Sequence, residues 1–107
     1  MPQMSAEQLQ DIVRRLVASV SPEKVYLFGS HASGEGRSGS DIDILVVVPD
    51  CPGGVGALYA EAERSLRGTC LPVELVICTR SQFERQSQWT SSLACTVRKK
   101  GKLLYAA

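Results

Sequence analysis

Several common signatures are missing from this sequence, and each absence closes off a class of protein. The four cysteines, Cys51, Cys70, Cys78 and Cys95, stand far apart and never form a C-x-x-C or Cys/His pattern. Neither a disulfide framework nor a zinc site is spelled out, and free thiols in a reducing, cytoplasmic setting are expected. No apolar segment precedes Ser5, and the longest apolar run, residues 44–49, is far too short to cross a bilayer. An excess of one charge is also lacking. Twelve Lys and Arg against eleven Asp and Glu leave a net charge of +1, which gives no general pull toward nucleic acid. The only histidine, His31, has no partners nearby for a His/Cys/Asp catalytic arrangement. No internal repeat or linker appears. With 107 residues, 44% hydrophobic and 21% charged, the chain reads as one domain, 1–107, with a single core.

What is present is concentrated in residues 28–43. A short apolar stretch, Val25, Tyr26, Leu27 and Phe28, runs into Gly29-Ser30. A Gly-Ser pair lets the backbone turn sharply and approach a bulky anion, so its amides and the Ser30 hydroxyl suit phosphate oxygens. After ten intervening residues come Asp41 and Asp43, separated by Ile42. Alternate residues of a strand share a face, so these two carboxylates point the same way while Ile42 and Ile44 enter the opposite layer. Left alone, the pair would repel and one member would take a proton. A hard dication such as Mg2+ satisfies both with oxygen ligands, phosphate and water. The plainer alternatives are a simple turn at Gly29-Ser30 and a solvated polar face on an edge strand. Leu45 and Val47, which continue the face of the aspartates, are apolar and argue against the second. His31, also in this run, is read as a surface or phosphate-adjacent residue, and Arg37 as a solvated loop residue rather than a contact of the triphosphate.

The periodicity places these motifs on a sheet with helices. Leu9, Ile12, Val13, Leu16, Val17 and Val20 form a helical stripe, with Ser5 and Gln8 as a capping box and Ser21-Pro22 as its stop. A second helix over 55–67 carries Val55, Leu58, Tyr59, Ala62 and Leu66, with Gly68 as a left-handed end. Pro49 through Gly54 is a turn-rich loop. Ser81 and Glu84 suggest another capping box, opening a last helical region with Trp89, Leu93 and Val97 that ends at Gly101 before a short tail. Arg98, Lys99, Lys100 and Lys102 fall where a helix C-terminus favours cations. Strands near 24–29, 41–48 and 72–78 complete an α/β (α+β) sheet with helices mainly on one face. The first two strands should be antiparallel, since the dozen residues between them leave no room for a crossover helix.

Taken together, Gly29-Ser30, the ten-residue spacer, Asp41-Ile42-Asp43 and the following strand resemble the minimal nucleotidyltransferases of prokaryotes, within the superfamily related to DNA polymerase beta. The resemblance extends loosely from about Glu7 to Tyr105. It implies a mixed sheet and a third carboxylate on a later strand, for which Glu74 is the candidate, although the family more often carries aspartate there. It implies two metal ions, Mg2+ or Mn2+, held by Asp41, Asp43 and Glu74, and an in-line displacement with Glu74 activating the acceptor hydroxyl. ATP or another nucleoside triphosphate would be the donor. Because no helical substrate domain is appended, it also implies a partner, a small helical HEPN-type protein in a toxin–antitoxin pair that receives AMP. Two other functions stand beside this one: a degenerate antitoxin acting by contact alone, and a small-molecule nucleotidyltransferase. A lone carboxylate such as Glu74 can also be merely solvated, and self-association is left open.

Overall fold

The structure, a computed structural model, describes residues 6–29, 41–51, 53–69, 71–89 and 92–107. Helix α1 (Ala6–Val20) buries Ile12, Leu16 and Val20 at four-residue spacing, with Leu9 and Val13 packed beside them. It ends where Ser21 turns left-handed (φ 48°) and its N–H reaches the Val17 carbonyl at 3.2 Å. Pro22 then bars continuation. Strands β1 (Lys24–Phe28) and β2 (Ile42–Val48) follow. Helix α2 (Gly56–Leu66), extended by a 3-10 turn (Arg67–Thr69), supplies the crossover to β3 (Val73–Thr79). Two short helices, α3 (Arg80–Gln86) and α4 (Leu93–Lys100), lead to β4 (Lys102–Ala106).

The sheet order is β3-β2-β1-β4. β1 is antiparallel to both β2 and β4, and β3 is parallel to β2. The mixed sheet and the antiparallel first pair are therefore as expected. Ile42, Ile44, Val46 and Val48, with Val25, Leu27 and Leu75, face α1 and α2. Leu45 and Val47, with Tyr26 and Cys78, face Phe83 of α3 and Ala94 and Val97 of α4. The Tyr26 and Phe83 rings stack with centroids 5.5 Å apart. The two long helices thus cover one face, and the two short ones part of the other. Burial on both faces explains why β2 reads as a continuous apolar run rather than an alternating one.

Polar latches hold the layers in place. Arg15 donates from Nε to Asp11 at 2.9 Å and from Nη1 to the Ser65 carbonyl at 3.0 Å, tying α1 to the end of α2. Arg80 grips Glu23 with two bonds, one of them Nε to Oε1 at 2.8 Å. Asp50 accepts the Ser81 N–H at 3.0 Å and the Ser81 hydroxyl as well. Cys51, Cys78 and Cys95 are free thiols, and burial pushes that of Cys78 up to about 11. Cys70 and Ser5 lie outside the described residues. Among the described residues no helix is long and apolar enough to cross a membrane.

Four expectations need correction. The cap of α3 is Thr79 with Gln82, a reciprocal box with bonds of 3.2 and 3.0 Å, because Asp50 already occupies Ser81. The last helical region is broken in two, and α4 opens on its own cap, with the Ser92 hydroxyl accepting the Cys95 N–H at 3.1 Å. Gly68 is not left-handed; it lies in the 3-10 turn, where a Cβ would come 2.9 Å from Arg15 Nη1. The tail is an edge strand, β4.

At Gly101 a Cβ would sit 2.5 Å from the Val97 carbonyl oxygen, the same oxygen that accepts the Gly101 N–H at 2.7 Å. Gly101→Ala is expected to cost about 1–3 kcal/mol, read as a lower urea midpoint. Acid should act through the latches: hydrogen bonds from Arg15, Arg80 and Ser81 hold Asp11, Glu23 and Asp50 below their ordinary values of 3.8, 4.5 and 3.8 respectively. The unfolded chain therefore takes up protons first, so this stability is complete above about pH 4.5 and is lost as pH falls through the lower folded values. Urea midpoints measured between pH 6 and 3 should fall less steeply in Glu23→Gln than in the wild type.

Candidate active site

The end of β1 and the start of β2 and β3 form one edge of the sheet, and the acidic residues gather there. Gly29, directly after β1, is left-handed (φ 76°), a conformation that glycine adopts at no steric cost. A Cβ at this position would overlap Asp43 Oδ2 and lie 3.1 Å from Asp43 Cγ. The missing side chain is thus what makes room for the Asp43 carboxylate. Phe28 stands opposite Asp43 in the antiparallel register, and Asp43 stands beside Glu74 in the parallel one. The Ile42 N–H donates to the Pro72 carbonyl at 2.8 Å, which pins the entry of β2 to the entry of β3.

These registers bring Asp43 and Glu74 together on the face shared with Leu45 and Cys78. Asp41 precedes β2, two residues before Asp43. Asp43 is half-buried, whereas Asp41 and Glu74 are exposed. Among the described residues no three acidic, imidazole or thiol groups converge closely enough to hold one ion. The donor chemistry nevertheless fits a divalent metal of the magnesium type, which takes oxygen ligands from one or two carboxylates and completes its shell with water and phosphate. Ser30, His31 and Arg37 lie outside the described residues.

The sequence reading passed over one residue beside this site. Phe28 is half-buried, shares the face of Asp43, and packs against the Tyr26, Leu45 and Phe83 cluster. It forms an apolar wall between the carboxylates and the second core. Its position two residues after Tyr26, on the same face of one strand, was the available signal.

The sequence profile of the nucleotidyltransferase domain matches residues 6–100. The chain belongs to that family. Solved structures similar to this nucleotidyltransferase domain include a toxin–antitoxin crystallised with AMP-PNP, at 26% identity and a TM-score of 0.64, covering 92% of this chain and 73% of that one. A candidate nucleotidyltransferase from Sulfolobus solfataricus shares the fold at 23% identity and a TM-score of 0.57, with 96% and 90% covered. A mutant of the MntA–HpeT toxin–antitoxin with two aspartates changed to glutamate does so at 21% identity and a TM-score of 0.56, with 97% and 75% covered. A search of curated proteins finds no match.

The close approach of Gly29 to Asp43 can be measured in this domain as a coupling. Gly29→Ala should destabilise through both the left-handed backbone and the carboxylate overlap, and Asp43→Ala should relieve only the overlap. A double-mutant cycle by urea denaturation is expected to give an interaction of about 1 kcal/mol or more, within the range for residues in contact. Strict additivity would mean that the two residues do not share this space.

Proposed function

We propose that this chain transfers a nucleoside monophosphate, AMP from ATP, to a hydroxyl of a partner protein, as the nucleotidyltransferase half of a cytoplasmic toxin–antitoxin pair. The observation that carries the reading is the register that sets Asp43 beside Glu74, with Gly29 opening space at the Asp43 carboxylate. The family assignment and the likeness to a toxin–antitoxin crystallised with AMP-PNP support it. The partner would be a small helical protein of the HEPN type.

Asp41, Asp43 and Glu74 would hold the metal, Mg2+ or Mn2+, in one or two ions. When bound, it would neutralise phosphate charge and help orient the reacting oxygens. Gly29 and Ser30 would hold the phosphates. The acceptor oxygen forms a bond to the α-phosphorus, and the bond from that phosphorus to the bridging oxygen breaks with its electron pair left on pyrophosphate. The acceptor proton passes to the Glu74 carboxylate.

A second reading, an antitoxin that neutralises its partner by contact alone, draws on the lack of a converged acidic trio among the described residues. Two measurements separate the readings. ATP at a hundredfold over its dissociation constant should stabilise the domain by about 2.7 kcal/mol, and only when Mg2+ or Mn2+ is present. Asp41→Asn and Asp43→Asn should each abolish that response and the transfer while leaving a folded chain. Glu74→Gln should cut transfer to the co-expressed partner about a hundredfold, the order lost with a positioned base, while partner binding survives. Mass spectrometry of the partner reads the added nucleotide. A wild-type chain that binds its partner tightly and never modifies it would establish the contact-only antitoxin instead.

A further inference from the structure

A cavity of about 320 Å³ opens on the face of the sheet covered by α3 and α4, within the size range of small-molecule sites. It lies at the end of the sheet away from Asp43. In the β1–β2 register Lys24 stands opposite Val47 and Phe28 opposite Asp43, so four residues of β2, about 13 Å of strand, separate the cavity from the acidic edge. Its apolar part is Tyr26, Val47 and the Phe83 ring that stacks on Tyr26. Lys24 shares the face of Tyr26, two residues along the strand. With Glu23, Arg80, Glu84, Ser87 and Arg98 it makes up the polar part.

The charges around the cavity are unequally committed. Arg80 and Glu23 neutralise each other through two bonds. Neither Lys24 nor Arg98 joins an ion pair among the described residues, and of the lining residues only Glu84 is left to balance them. One positive charge is therefore uncompensated. Arg98 is also held in place. Its Nη1 donates to Ser87 Oγ at 3.2 Å, and the Ser87 hydroxyl donates in turn to the Glu84 carbonyl at 3.0 Å. Ser87 is buried, at 8% exposure, so it orients the guanidinium from inside the protein. A guanidinium carries five N–H donors in a planar fork that matches a carboxylate, and a latch between α3 and α4 accounts for one of them.

We propose that this cavity binds a small organic carboxylate, with its anionic head between Arg98 and Lys24 and its apolar body against Tyr26 and Phe83. A single negative charge balances the site, whereas a phosphate dianion would leave it net negative beside Glu84. Either a free acid or the C-terminus of a peptide presents such a head. The inference stands apart from the nucleotidyl-transfer reading, because none of these residues belongs to the acidic edge.

The test is titration of benzoate into the isotope-labelled chain, followed by amide NMR. Saturating shifts are expected at Lys24, Tyr26, Glu84 and Ser87, with Gly29 and Asp43 unmoved. Arg98→Gln should weaken benzoate about tenfold, the order lost with a charge-assisted hydrogen bond, and Arg98→Lys by less, because it keeps the charge and loses the fork. Lys24→Gln should weaken it about threefold, as suits an exposed charge. Lys24 has no side-chain bond to lose among the described residues, so this variant reads the charge even if Arg98→Gln melts early. Exposed Arg67→Gln should change nothing. Benzylamine, of similar shape and opposite charge, should not saturate. A short peptide ending in phenylalanine identifies the source: tighter binding than benzoate, lost on amidation of its terminus, assigns the site to a chain end, and no binding assigns it to a free acid. Benzoate that fails to saturate, that binds Arg98→Gln and Lys24→Gln as tightly as the wild type, or that binds no better than benzylamine overturns the proposal. So does displacement of benzoate by ATP with Mg2+, which would make the cavity part of the nucleotide site.

Discussion

The register of β2 between β1 and β3 is the constraint on which the rest of this structure depends. Side chains in a strand alternate, so a slip of one residue would send Asp43 into the layer of α1 and α2 and turn Ile44 toward the site. Ile44 and Val46 are completely buried on one side of the strand, and Leu45 and Val47 are 2% exposed on the other. Both faces are therefore committed to apolar layers, and neither could accept a carboxylate without a large desolvation cost. The core thus decides where Asp43 stands. The same register sets Phe28 on one side of it and Glu74 on the other.

The two ends of the sheet are built differently. At the end away from the carboxylates, Arg80 grips Glu23, Asp50 takes the Ser81 N–H and hydroxyl, and Thr79 and Gln82 cap each other. Those bonds fasten the start of α3 to the start of β1 and the end of β2. At the carboxylate end the described contacts are instead a backbone bond, Ile42 to Pro72, and a glycine that makes room for a side chain. The positions of Asp43 and Glu74 along their strands are thus set by the register of β2 and β3.

Much of this was legible in the sequence because it rests on local pattern. The stripe from Leu9 to Val20, the apolar runs of β1 and β2 and the apolar residues around Glu74 each predict their element without help from the rest of the chain. The pairing of β1 and β2 follows from loop length alone. The region after Thr79 was harder to read. Its caps compete: Ser81, Thr79 and Ser92 are all plausible starts, and only the distant Asp50 decides between the first two by occupying Ser81. β4 carries a brief apolar triplet, Leu103, Leu104 and Tyr105, and its pairing with β1 includes a register shift, so no clean alternation marks it. At the site, Asp43 and Glu74 were legible as strand residues, whereas their adjacency depends on a parallel pairing across α2 that no local signal encodes. The overlap between Gly29 and the Asp43 carboxylate is a tertiary fact of the same kind.

Size then bears on chemistry. A single four-stranded sheet leaves Asp41 and Glu74 exposed, and exposed charges act through water, where their fields are weak. Phosphoryl transfer is catalysed mainly by positioning and by charges held in a site from which water is excluded. On the proposed reading, the chain supplies one wall of such a site, made of Phe28, Gly29 and the carboxylates, and the partner that brings the acceptor hydroxyl supplies the other. Binding the acceptor and excluding water then become one event. That arrangement disfavours wasteful hydrolysis of ATP by the free chain, because water could reach the phosphate only while the carboxylates are still solvated and least effective.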